Sequence, residues 1–217
     1  MNEIFSQRGE GWEEGPIEKL TEVVTKGSSP KWQGISYTEL PGILFVTSEN
    51  VGEGKLKMKK TKYVEKRFNE IQKKSILKYG DVLTNIVGAS IGRTAIYDLD
   101  EIANINQAVC IMRCKKDLLY NKFLMYMLNS PYFKTILHDN EVDNARANLS
   151  LTFFKNLTIP LPDLMAQKEI VEEIVKLEEQ TNLLLHNFSL KLANVVNLKK
   201  SLLQKAFAGE LTKMSEP

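Results

Sequence analysis

From Leu164 to Ala208 the chain runs without a proline or a glycine, and its apolar residues recur at alternating steps of three and four. The positions are Ile170, Ile174, Leu177, Thr181, Leu184, Phe188, Lys191, Val195, Leu198 and Leu202, and eight of those ten are apolar. That is a heptad seam, and it predicts one unbroken α-helix about 67 Å long at the usual rise of 1.5 Å per residue. A rod of that length outreaches a domain of about 160 residues, so the pattern favours an arm that pairs with a partner helix over one folded back on its own domain. Asp163 is placed to cap its start and Gly209 to end it. A second stripe of Val171, Val175, Leu185, Leu192, Val196 and Leu203 widens the apolar face.

Upstream of the prolines in IPLPD the pattern differs. Short β-branched runs (ILFVTS, SILKYGDVLTNIV, TAIYDL, QAVCIMR) are separated by Gly, Pro and Asn, which predicts a mixed sheet domain. One helix is expected from about Asp117, with Leu119, Phe123, Tyr126 and Met127 on one face and Pro131 breaking or restarting it. The reading is therefore α+β: a globular domain over residues 1–162, then a helix and tail over 163–217.

Composition excludes several classes. The chain has 217 residues, 43% hydrophobic and 26% charged, which is ordinary for a globular protein. Its first residues lack an apolar stretch, and no run reaches the roughly 18 apolar residues that a membrane span needs, so no leader and no membrane partner are expected. Cys110 and Cys114 are the only cysteines and, with His138 and His186, make no four-ligand zinc pattern; they read as buried, reduced thiols of a cytoplasmic protein.

The formal net charge of +2 conceals an uneven distribution. Residues 1–22 carry six acids and two bases, whereas residues 55–74 carry nine bases and two acids. The second run fits a surface that concentrates a polyanion, with a solvated lysine-rich loop as the alternative. Catalytic signatures are missing: no D/N-P-P-Y/F segment, no phosphate-binding loop (GASIGR is one residue short and ends in Arg), no Asp upstream of the one E-x-K, Glu53–Lys55, since the first Asp is Asp81, and no nucleophilic serine motif.

The densest polar cluster lies within GDVLTNIVGASIGRTAIYDLDEIANINQAVCIM. It sets Thr84, Asn85, Ser90, Arg93, Asn104, Asn106 and Gln107 among strand-like runs. Asn and Gln can bond bidentately to adenine edges, Arg to guanine, and Ser or Thr to bases or phosphate. The same Asn residues could instead satisfy turn backbones. Gly88 and Gly92 would let backbone N–H groups approach phosphates closely.

GWEEGPIEKLTEVVTKGSSP, GILFVTSENV, KYGDVLTNIVGASIGRTAI, NINQAVCIMR, NLSLTFFKNLTIPLPDLMAQKEIVEEI and LKKSLLQKAFAGELT follow one another in an order that resembles the specificity subunit of type I restriction-modification systems. The resemblance implies a target recognition domain that reads one half of a bipartite site on double-stranded DNA. It implies, too, a conserved spacer helix forming an antiparallel coiled coil and docking modification (methyltransferase) subunits, with a restriction/translocase subunit in the full complex. It implies no catalysis and no cofactor in this chain; S-adenosylmethionine, ATP and Mg²⁺ are expected on the partner subunits. Family members carry two recognition domains, whereas this sequence has one, so the resemblance is to a half-length form, expected to act as a homodimer. The DNA-binding residues it suggests are Ser28, Lys31, Lys59, Lys60, Lys62, Thr84, Asn85, Ser90, Arg93, Asn104, Asn106, Gln107 and Arg146. Dimerisation is expected through Ile170, Ile174, Leu177, Leu184, Phe188, Val195, Leu198 and Leu202. A coiled-coil adaptor or inhibitor whose head no longer reads DNA is the alternative.

Overall fold

The computed structural model describes residues 5, 9, 11–39, 42–140 and 148–209. The elements are β1 (Glu13–Pro16), α1 (Ile17–Leu20), β2 (Thr21–Lys26), β3 (Tyr37–Thr38), β4 (Ile43–Val46), β5 (Tyr63–Val64), α2 (Arg67–Ile71), β6 (Val82–Asn85), β7 (Thr94–Ile96), β8 (Ala103–Ile105) and β9 (Val109–Cys114). There follow α3 (Asn121–Asn129), α4 (Pro131–Asp139), α5 (Leu151–Asn156), β10 (Thr158–Leu161) and α6 (Leu164–Phe207). The chain separates into two compact units, Met1–Val171 and Glu172–Pro217. The α+β class and the long terminal helix are as the sequence predicts.

Two four-stranded sheets build the first unit, in the orders β2-β9-β6-β7 and β3-β5-β4-β8, and β1 pairs with β10 separately. All pairings are antiparallel except β4 with β8. β4 shows why the sequence forms layers. It is apolar at all four positions, and the period of two sends alternate residues to opposite faces. Leu44 and Val46 join Leu83, Ala95, Ile105, Val109 and Ile111 in the principal core, while Ile43 and Phe45 join Ile35, Val64 and Phe68 in a second one. α3 lies against β6 and β7, burying Phe123, Leu124 and Met127.

Two side chains fasten the far end of this unit. Asp81 is 1% exposed and holds Arg113 through two bonds of 2.7 Å, while also accepting the Lys78 N–H at 2.8 Å. That carboxylate pushes the arginine above its already high value. Buried Gln167, in the first turn of α6, accepts the Tyr120 N–H at 2.7 Å and donates to the Leu118 and Pro162 carbonyls.

This network also corrects one boundary. The helix expected from Asp117 begins at Asn121, with Tyr120 as its N-cap residue. Residues 115–119 instead close a turn in which the Leu118 and Leu119 N–H groups both donate to the Lys115 carbonyl. Pro131 restarts the chain as α4, and Ser130 caps it by accepting from the Phe133 N–H at 3.3 Å. Cys110 and Cys114 are free and buried, and burial raises both thiols to about 12, which leaves them protonated and inert at neutral pH.

α6 is 44 residues long. Asp163 caps it, its carboxylate accepting the Ala166 N–H at 2.9 Å, and Gly209 adopts the left-handed φ of 72° just beyond its end. In the second unit Ile174 is buried, while Leu177, Leu184, Phe188, Val195, Leu198 and Leu202 are exposed along the seam. Leu185, Leu192, Val196 and Leu203 are exposed on the second stripe. Among the described residues, no helix is long and apolar enough to cross a membrane.

Candidate nucleic-acid interface

Register brings the ends of four strands together. β9 starts at Val109 opposite Asn85, the last residue of β6, and its Cys110 faces Lys26, the last residue of β2. In the other sheet β4 and β8 run parallel and finish side by side at Val46 and Ile105. The Asn106 N–H then donates to the Val46 carbonyl at 3.1 Å, and the Ile86 N–H to the Ala108 carbonyl at 2.9 Å. Gly27 crosses between the sheets so closely that a Cβ there would overlap the Ile105 carbonyl. The loops after β2, β4, β6 and β8 therefore emerge at one end of the domain. The segment Asn148–Leu149 joins them through its bridge to Val87 and the Leu149 N–H bond to Ile86.

The polar cluster divides into a supporting layer and a presented one. Thr84, Asn85 and Asn104 are fully buried, which corrects the expectation that they face DNA. Thr84 shares a 2.9 Å hydroxyl contact with Thr94. Asn104 accepts from Ser75 Oγ at 2.7 Å and donates to Asn69 and to the Gln72 carbonyl. Asn85 donates to the carbonyls of Ser48 and Val51 and to Ser90 Oγ. Burying an unpaired amide or hydroxyl is costly, so these groups take partners inside, with the exception of Asn85 Oδ1, which is buried and accepts no hydrogen bond among the described residues.

Arg93, Lys31, Lys59 and Lys60 are exposed, and Ser28, Ser90, Asn106 and Gln107 are half-buried. Ser28 accepts from Gln33 Nε2 at 3.1 Å, and the side-chain Oδ1 of Asn106 accepts the Ala108 N–H at 3.1 Å. Lys62 is drawn to Glu49 at 3.3 Å. Arg146 lies outside the described residues. Gly88 and Gly92 both hold left-handed φ values, 75° and 82°. A Cβ on Gly88 would meet nothing, so that loop is open there, whereas Gly92 packs on Leu137 and gives its N–H to the Asn85 carbonyl.

Two features of this end escape sequence reasoning. Asn50 is 2% exposed and organises the whole basic loop: its amide donates to the Lys57 and Lys60 carbonyls, and its oxygen accepts from the Thr47 N–H and hydroxyl. Glu53 pairs with Lys134 at 2.7 Å, from a helix 81 positions away. That hydrogen bond, with the charges of Lys134, Arg93 and Lys57, holds its carboxyl below the ordinary glutamate value. Three cations thus surround one carboxylate beside the GASIGR loop.

Such an end offers cations and planar hydrogen-bonding groups on a braced framework, the kit for holding phosphates and reading base edges. Residues 9–192 match the model of the type I restriction modification DNA specificity domain. The chain belongs to that family. Among its relatives, the specificity subunit of the type I restriction enzyme EcoBI from Escherichia coli is 33% identical over 171 residues, which are 79% of this chain and 36% of that protein. The MjaVIII specificity subunit of Methanocaldococcus jannaschii is 28% identical over 80% of this chain and 41% of its own. This specificity domain chain spans less than half the length of either relative. Its fold is that of the HsdS subunit from Thermoanaerobacter tengcongensis, with a TM-score of 0.64 at 21% identity over 94% of this chain and 46% of that one. A chain from a structural study of complex assembly and conformational transition in the type I R-M system superposes with a TM-score of 0.69 at 20% identity, covering 94% and 49%.

Proposed function

We propose that this specificity domain is a non-catalytic reader of double-stranded DNA that directs a type I restriction-modification complex to its target. The observation that carries the reading is the convergence of four polar strand-end loops at one end of both sheets. Arg93, Asn106 and Gln107 are the base readers in this proposal, with Ser28 and Ser90 beside them. Lys31, Lys59 and Lys60 hold the sugar–phosphate backbone, supplying affinity without sequence preference.

In this reading α6 pairs antiparallel with the same helix of a second chain. Two apolar stripes exposed over the second unit favour association, because a contiguous apolar face of that size is unstable in water. A true two-fold axis then relates the heads, so the half-sites are identical on opposite strands and separated by unread base pairs. A helix of about 66 Å matches roughly two turns of B-DNA at about 34 Å each. Methyl transfer, ATP hydrolysis and DNA cleavage belong to the modification and restriction subunits of a cytoplasmic complex, with S-adenosylmethionine, ATP and Mg²⁺ bound there.

Methylome sequencing of cells carrying this chain and a cognate modification subunit tests the proposal. An interrupted palindrome is the expected mark. An asymmetric bipartite motif with this chain as sole specificity subunit would contradict the homodimer, and unmodified DNA would favour an adaptor or inhibitor role.

A further inference from the structure

The basic run of residues 55–74 does not stay together in the fold. Lys55 to Lys62 belong to the strand-end loop, but Lys73 and Lys74 turn away and line a cavity of about 600 Å³ with Val23, Val24 and Thr25 of β2. A second cavity of about 480 Å³ adjoins it, since both share Glu22, Lys78 and Arg113. Lys116 and Lys168 line the second one. The two make one groove. It starts beside Thr25, next to the loop that carries Ser28, and follows β2 back past Glu22 to the first turns of α6.

The charges of this groove are unbalanced. Arg113 is neutralised by Asp81, and Lys155 by Glu18 at 2.8 Å. Among the described residues, Lys73, Lys74, Lys78, Lys116 and Lys168 have no carboxylate within ion-pair distance, and all five are exposed. Among the described residues of the lining, Glu22 is the one remaining acid. Flexible, unpaired ammonium groups spaced along a groove suit a repeating anion without fixed orientation, because each acts as a point charge. They do not suit base reading, which needs planar groups held in place.

We propose that this groove is a second phosphate track, taking the sugar–phosphate backbone of duplex DNA outside the half-site that the loops read. The inference rests on the DNA-reading function proposed above and extends its footprint. Continuity supports it: the groove opens at β2's last residues, where the reading loops begin, so a strand leaving the loops meets lysines rather than an acidic surface. Phosphate contacts here add affinity and fix the approach of the duplex while leaving base preference untouched.

The test compares protein with wild-type groove lysines against the Lys73→Ala/Lys74→Ala/Lys116→Ala variant, both full-length and both carrying Leu177→Asp/Leu184→Asp so that a single head meets each duplex, on two duplexes of arbitrary sequence, one of about one helical turn and one of about three turns. The slope of log K against log salt is measured for each. The wild-type slope is expected to steepen on the longer duplex, and the variant to lose that step, by about 0.9 per contact and so up to about 2.7. A Lys59→Ala/Lys60→Ala control should flatten the slope on both lengths, which separates failure of the loops from failure of the groove. Equal wild-type slopes on both duplexes, or a variant that keeps the step, overturn the proposal. Intact slopes with weakened capture of a modification subunit would overturn it too and assign the groove to a protein partner. If no duplex binds the wild type, the DNA-reading function falls and this inference falls with it. Circular dichroism of the variant checks that these exposed substitutions leave the fold intact.

Discussion

The side-chain amide of Asn85 donates to the Ser48 carbonyl at 2.9 Å, joining the loop after β4 to the end of β6 across 37 positions of sequence. The same amide reaches the Val51 carbonyl and Ser90 Oγ, so one buried residue sets the spacing of two loops that the proposed interface needs. Asn85→Ala would strand these acceptors, at a cost of about 1–3 kcal/mol for each buried group left unsatisfied. The expected outcome is a lower thermal midpoint and equally weakened binding to all duplexes. A variant with unchanged stability and altered preference at one base pair would make Asn85 a reader.

Arg113 and Asp81 brace the opposite end, and their side chains are 16% and 1% exposed. Removing one partner from a buried pair leaves an uncompensated charge, so Arg113→Met should cost about 3–5 kcal/mol in urea denaturation. Adding Asp81→Leu should return part of that loss. Strictly additive losses would show that the two residues act separately.

How much of this was legible in the sequence depended on the range of the interactions. The long helix was visible because its signal is local: a heptad seam, Asp163 before it and Gly209 after it. The strands around Val82, Thr94 and Val109 were visible for the same reason. The duties of the asparagines were not. Asn104 bonds Ser75 and Asn69, 29 and 35 positions away, and no spacing rule distinguishes it from half-buried Asn106 two residues on. Likewise the basic run reads as one patch, yet a short helix and a turn send Lys73 and Lys74 to the β2 groove. The Asp117 cap failed because Gln167 claims the Tyr120 N–H from 47 positions away.

The loop lysines should govern affinity without governing sequence choice. Lys59→Ala/Lys60→Ala is expected to weaken binding to all duplexes alike and to reduce the salt slope by about 0.9 per lost contact. An unchanged slope would mean that these exposed lysines are only solvated.

Leu177 and Leu184 are 49% and 57% exposed one heptad apart. Replacing both with Asp puts charge into the proposed seam, and sedimentation should then find monomers where the wild type forms dimers. A variant that still sediments as a dimer would move the contact off this stripe.

Selection of duplexes from a randomised library by the purified protein, followed by sequencing, tests DNA reading most directly. The wild type is expected to enrich two inverted copies of one short half-site at a fixed separation. Arg93→Ala should keep that separation while losing preference at one position in each copy, a difference of about 1–3 kcal/mol per bidentate contact. Enrichment of no motif by the wild type, or an identical motif from Arg93→Ala and from matching Asn106→Ala and Gln107→Ala variants, would contradict the account.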